Sequence, residues 1–181
     1  MKDIGKRLSQ INIGKSLAGV AIALLSLSAG AESTNPGTYN VIVIEDEAFG
    51  GVIQAGQHEQ AINGLTKRGA VNSRNFTVNN NLCVAYLMSG KFNDAKGYCD
   101  QAVAIQLKGF RSKYGVYSRY QDKAIAYTNR GVFRALTGDF EGARSDLKEA
   151  VEADSGLDQP TINLAKFEFS VLDRTSILSQ Q

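Results

Sequence analysis

The stretch Asn81-Leu82-Cys83-Val84-Ala85-Tyr86-Leu87-Met88-Ser89-Gly90-Lys91-Phe92-Asn93-Asp94-Ala95 holds the pattern that decides the fold. In it a glycine is followed by an aromatic residue and then an alanine, Gly90-Phe92-Ala95, and the same spacing recurs as Gly56-His58-Ala61 and Gly138-Phe140-Ala143. Gly56 and Gly90 are 34 residues apart, and Gly138 follows Gly90 by 34 plus an insertion of 14. A period of about 34 residues marks stacked helix-turn-helix units. Two short antiparallel helices require these residue types: the first must end where the chain reverses, which favours glycine, and the second must lie close to it, which favours a small residue. Asn81 and Asn129 each stand nine residues before a turn glycine, and Asn163 lies 34 residues beyond Asn129, just after Pro160. A further first helix is therefore expected there, with no second helix after it.

These landmarks resemble the tetratricopeptide repeat family over roughly 42 to 173. Repeat two, about 76 to 109, supplies Asn81, Leu82, Cys83, Tyr86, Gly90, Phe92, Ala95 and Ala102; repeat three, about 124 to 157, supplies Tyr127, Asn129, Gly131, Gly138, Phe140, Ala143 and Ala150. Repeat one departs from the pattern, because Glu47, Ala48 and Phe49 stand where an asparagine, a large and a small residue are expected, although Gly56, Ala61 and Leu65 fit its second helix. Divergent end units are normal, since their outer face meets water. The resemblance implies an all-α fold of antiparallel helix-turn-helix repeats, about three of them, closed by a C-terminal capping helix at 161 to 172. Residues 32 to 41 are then an N-terminal extended segment, 42 to 173 the repeat domain with its insertion near 108 to 121, and 174 to 181 a C-terminal tail.

The slots of the two best repeats also compensate one another. Arg130 and Asp146 occupy positions expected to face each other, and the same two slots in repeat two hold Leu82 and Tyr98. A half-buried arginine without a partner is costly, so an ionic pair in one repeat and an apolar pair in the other is what contact between those slots would require. Arg130 reads as structural, a ligand-binding arginine being the alternative.

The front of the chain carries a targeting message. Lys2, Lys6, Arg7 and Lys15 precede an apolar run from Leu17 to Leu27, and Ala29-Gly30-Ala31 supplies a small-x-small cleavage pattern. Residues 1 to 31 are thus expected to be a signal peptide cleaved near Ala31, giving a periplasmic or secreted protein beginning at Glu32. The run is short and serine-rich for a membrane span, which needs about 20 apolar residues, an uncleaved anchor being the alternative. Gly14-Lys15-Ser16 imitates the end of a phosphate-binding loop, but Ser9 stands where its first glycine would be needed. The whole chain has 20 basic and 18 acidic residues; without the leader's 4 and 1 it has 16 and 17, a net charge of −1. The remaining length of about 150 residues suffices for one soluble domain with its own core.

Cys83 and Cys99 fall on the two helices of one expected hairpin, seven and nine residues from Gly90. They form a disulfide candidate in an oxidising compartment, and two buried thiols filling core slots is the other reading. The insertion is basic and aromatic: Lys108, Arg111, Lys113, Arg119 and Lys123 oppose only Asp122, with Tyr114, Tyr117 and Tyr120 interleaved. Lys108, Arg111, Lys113, Tyr114, Tyr117 and Arg119 are candidates for an anionic surface, an envelope polymer or lipid, because tyrosine stacks while basic groups neutralise charge. The tyrosine spacing equally suits one stripe of a lengthened helix.

Chemistry finds little foothold. His58 is the sole histidine and occupies the slot of Phe92 and Phe140, so packing explains it. One histidine and two cysteines on one hairpin make no zinc site, and no nucleophile motif accompanies His58. Glu45-Asp46-Glu47 reads as a negative first turn of a helix, with a metal cluster as the alternative. No enzyme activity, cofactor or metal is expected, and export makes nucleic acid an unexpected partner. The resemblance instead implies a scaffold that binds a protein or peptide in the groove of its first helices, at Thr77, Asn80, Val84, Leu87 and Met88 and, in repeat three, Ile125, Thr128, Val132, Ala135 and Leu136. These residues are apolar or neutral and suit an apolar peptide or helix. A cell-wall or anionic-surface accessory protein using the basic insertion is the rival reading, and a homodimer formed by stacking past the cap is a third outcome.

Overall fold

The computed structural model describes residues 8–12, 39–45, 48–67, 74–108 and 116–178. In chain order these form β1 (Leu8–Asn12), β2 (Asn40–Ile44), α1 (Gly50–Gln54), α2 (His58–Lys67), α3 (Phe76–Met88), α4 (Phe92–Leu107), α5 (Val116–Thr137), α6 (Phe140–Ala153) and α7 (Asp158–Leu178). The protein is mostly helical, and each helix packs on the next in sequence. The odd-numbered helices α1, α3, α5 and α7 also touch one another in succession, and β2 lies against all four.

The turns explain the spacing of the glycines. Gly56, Gly90 and Gly138 have φ of 77°, 69° and 87°, a left-handed conformation that side chains disfavour. The residue after each glycine closes the turn in the same way: Gln57 N–H donates to Val52 O at 3.1 Å, Lys91 N–H to Tyr86 O at 2.9 Å and Asp139 N–H to Arg134 O at 3.0 Å. These bonds satisfy carbonyls that a helix end otherwise leaves open. The following helix begins at once, and Asp139 caps α6 by accepting from Gly142 N–H at 3.0 Å. Ala61, Ala95 and Ala143 then sit fully buried where the second helix meets the first.

The front of the domain differs from the expected arrangement. An extended segment ending at 41 and a repeat beginning at 42 were the sequence expectation; β2 crosses that boundary, and the first helix shrinks to the five residues of α1. The cause is local. Val41, Ile42, Val43 and Ile44 are all β-branched and suit a strand, and Ala48 and Phe49 reverse the chain with φ of 48° and 61°. Gly50 then lets the strand end press on the helix start, since a Cβ there would lie 1.9 Å from Ile44 O. At the other end, the helix expected over 161 to 172 runs from Asp158 to Leu178 and takes in most of the supposed tail.

β2 is the middle of the core rather than an addition to it. All five of its residues are buried. Successive strand side chains point to opposite faces: Val41 and Val43 join Ile53, Val84, Val132 and Phe167, while Ile42 and Ile44 join Phe76, Val103, Ile125 and Ala150. Helix α3, enclosed by neighbours and by the strand, is buried nearly all round, which is why its apolar residues show no single stripe.

Candidate functional site

A strand enclosed on both faces still has main-chain groups to satisfy, and three asparagines satisfy one edge of β2. Asn81 on α3 accepts from Ile44 N–H at 3.0 Å and donates to Ile44 O at 2.9 Å. Asn129 on α5 accepts from Ile42 N–H and donates to Ile42 O, both at 2.8 Å. Asn163 on α7 accepts from Asn40 N–H at 2.8 Å and donates to Asn40 O at 2.7 Å. Each primary amide therefore imitates the neighbouring strand of an antiparallel pair, at every second residue, as the strand period dictates. Asn80 ties the set together: its amide donates to Ile42 O at 3.1 Å, and its oxygen accepts from Asn129 at 2.8 Å. Asn80, Asn81, Asn129 and Asn163 are all at most 1% exposed, and in such surroundings an unpaired amide would be costly.

The groove residues predicted from sequence are brought together here, but around the chain's own strand. Thr77, Asn80, Val84, Leu87, Ile125, Thr128, Val132 and Ala135 are buried, while Met88 and Leu136 are partly buried at the edge of the core. Thr128 spends its hydroxyl on Ala124 O at 2.7 Å. The expectation of an open groove for a free apolar peptide or helix is thus corrected: β2 fills it, because a strand buries four β-branched side chains and has its main chain paired as well. The sequence reading used Asn81, Asn129 and Asn163 only as landmarks of phase. Their shared signal was polarity in a slot that must be buried, which implies a partner.

The remaining sequence candidates fall elsewhere. Cys83 and Cys99 are joined, with S–S 2.06 Å and Cα–Cα 4.9 Å, and tie α3 to α4. Arg130 Nε and Nη2 each donate to Asp146 at 2.7 Å, and Asp146 also receives Arg134 Nη1 at 3.0 Å. Burial works against the Arg130 charge, but the hydrogen bonds and charge of Asp146, with Asp100 and Tyr127, outweigh it and raise its pKa. Of the basic insertion, Arg111, Lys113 and Tyr114 lie outside the described residues; Lys108 and Arg119 are exposed. Tyr117 belongs to α5, which is 22 residues long, so the insertion in part lengthens that helix. The leader's expected apolar run and cleavage point, together with Asp46 and Glu47, also lie outside the described residues.

His58 stands at the start of α2, beside an open depression of about 510 Å³ lined by Gly56, Gln57, His58, Glu59, Gln60 and Ser89. Its Nε2 is buried without a hydrogen-bond partner. Burial lowers its pKa, against the opposing charge of Glu59. Among the described residues no group of three or more His, Cys, Asp or Glu side chains could hold a metal ion, and no helix is long and apolar enough to cross a membrane. Compared with known proteins, the chain matches no family model and no curated protein.

Proposed function

We propose that this chain is an exported scaffold of tetratricopeptide-like repeats that binds a protein or peptide partner in the cell envelope, and that its groove is built for extended backbone. Its act is binding and not catalysis. The observation that carries the reading is the asparagine set on α3, α5 and α7. Three amides projecting from alternate helices grip alternate residues of an extended segment through its main chain, the hydrogen-bonding part of the way a groove takes a strand. Support for the repeat assignment comes from the common φ and hydrogen bonding of the three turns. Support for export comes from the Cys83–Cys99 bond, a linkage that persists in oxidising compartments, and from the basic and apolar character of the leader.

The test offers the groove its own occupant from outside. A labelled peptide spanning 38 to 46 is added to the full chain carrying Ile42→Pro, which removes the N–H that Asn129 accepts and loosens the internal strand. Binding is expected, and adding Asn129→Ala should weaken it by about tenfold or more, the worth of two hydrogen bonds to otherwise unsatisfied groups. A variant that keeps its helical circular dichroism and its disulfide yet ignores the peptide would remove the groove from the reading.

A further inference from the structure

The asparagines use one edge of β2, and a strand has two. Main-chain groups of successive residues point to opposite edges. Asn40, Ile42 and Ile44 turn theirs to Asn163, Asn129 and Asn81, so Val41 and Val43 turn theirs the other way. That second edge is held by β1 in antiparallel register, with Ile11 opposite Val41 and Ser9 opposite Val43. β1, at Leu8–Asn12, lies within the segment whose basic and apolar pattern marks it for removal. Once the chain is cut after Ala31, nothing of β1 remains attached.

We infer that the outer edge of β2 is a strand-addition site, closed by β1 in the precursor and opened by leader removal to take an extended segment of a partner protein. The site offers the N–H and C=O of Val41 and Val43, residues that are fully buried while β1 is in place. Main-chain groups flanked by packed faces gain most from a new strand, because leaving them unpaired there is costly. The occupant is an antiparallel segment of about five residues, the length of β1, with free N–H groups at the two positions facing Val41 and Val43. Proline or an N-alkylated residue at either position is excluded. A second copy of β2 does not fit, since strands pair about 4.8 Å apart and each β2 is enclosed on both faces by its own helices. The added chain must be a single strand that brings no enclosing helices of its own. This inference deepens the scaffold reading and rests on the leader being cleaved. It does not need the asparagine groove to accept an outside ligand.

The probe is a synthetic peptide of residues 6 to 14. The full chain carrying Ser9→Pro and Ile11→Pro, in which β1 cannot pair, should bind it. The unsubstituted full chain should bind at least about tenfold more weakly, because the tethered β1 competes at high effective concentration. N-methylation of the peptide at Ser9 and Ile11 should abolish binding, while N-methylation at Gln10, which faces away, should leave it. Absence of binding by a helical variant would overturn the proposal, as would equal binding of the two methylated peptides, and a doubling of the variant's mass in solution would reassign the edge to a second copy. Should the variant lose its helical signal, amide hydrogen exchange on the unsubstituted chain takes its place. Val41 and Val43 must then exchange faster than Ile42 and Ile44, because β1 can detach while the asparagines hold; equal rates overturn the proposal. Mass spectrometry of protein recovered from the envelope isolates the maturation step: an intact leader refutes the opening of the edge and leaves the groove experiment unaffected.

Discussion

The hairpins α3–α4 and α5–α6 place the same slots against one another and fill them with different chemistry. Where the first puts Leu82 and Tyr98 in one apolar cluster, the second sets Arg130 on Asp146 in a two-pronged ion pair. Where the first joins Cys83 to Cys99, the second brings Gly131 so close to Leu147 that an added Cβ would stand 2.9 Å from its Cγ. The asparagine one position earlier, Asn81 or Asn129, does not vary, and it makes the same two bonds to β2 in both. The difference teaches which demands are general. Contact between the helices can be met by apolar packing, by charge or by a covalent bond, whereas gripping an enclosed main chain needs one amide in one place.

The largest effect is expected where the second hairpin has staked its contact on charge. Asp146→Ala takes the two-pronged carboxylate from Arg130, which keeps Asp100 at 3.7 Å, and takes a partner from Arg134; losing one side of a buried pair costs about 3–5 kcal/mol. Arg134 keeps Asp139 at 3.4 Å. Grafting the first hairpin's pair, as Arg130→Leu with Asp146→Tyr, should recover most of that loss, because apolar residues of similar size commonly replace a buried ion pair without penalty. Urea midpoints with an unchanged slope are the readout. If the graft is no better than Asp146→Ala, the two pairs are not equivalent solutions to one contact.

The covalent solution is tested by reduction. The cysteines are separated by 16 residues, and a closed loop of that size contributes about 3 kcal/mol, chiefly by restricting the unfolded chain. Unfolding with and without reductant should differ by that amount in the native chain and not at all in Cys83→Ala/Cys99→Ala. A smaller step concerns the close approach in the other hairpin. Gly131→Ala gains about 1 kcal/mol in helix propensity but crowds Leu147 at a cost of about 1–3 kcal/mol, for a net loss of about 1 kcal/mol. Gly97→Ala, on the exposed face of α4 with nothing within 4 Å of the added Cβ, should instead stabilise by about 0.5–1 kcal/mol. Opposite signs at two helical glycines would show that Gly131 is there for its missing side chain.

What could be read in advance follows from how local each demand is. A left-handed turn needs glycine, and two helices in contact need alanine, so Gly90 and Ala95 announced themselves from a few residues. Arg130 and Asp146 were legible because another pair of slots served as a control. Val41 to Ile44 carry a strand's signal, but the repeat phase extended backwards from Gly56 claims 42 onward for the first unit and leaves only Val41 to the extended segment. The purpose of the asparagines was not read. Their partners lie 37, 87 and 123 residues away, and an amide does not announce which main chain it will meet. The residues expected to face a free ligand are packed in the core with the chain's own strand, because sequence spacing describes a surface and says nothing of what covers it.

The smallest effect concerns the unit where neither hairpin's solution is used. The slot of Phe92 and Phe140 holds His58 at the start of α2, with its Nε2 buried and unpartnered. Burial lowers its pKa from 6.5, Glu59 pulling the other way. The unfolded chain therefore takes up the proton at a higher pH than the folded one. Stability from this group is complete above about 6.5 and is lost as the pH falls through 6.5 towards the lower folded value. His58→Phe should change stability at pH 8 by no more than about 0.5 kcal/mol. Between pH 7 and 5, however, the native chain should lose stability relative to the variant, as the difference between two series of urea midpoints at stepped pH. Parallel curves would mean that the imidazole takes its proton as easily folded as unfolded, and that the depression beside Ser89 admits water to Nε2. The histidine would then be a surface residue in an aromatic slot, and the resemblance of the first unit to the other two would end at its turn.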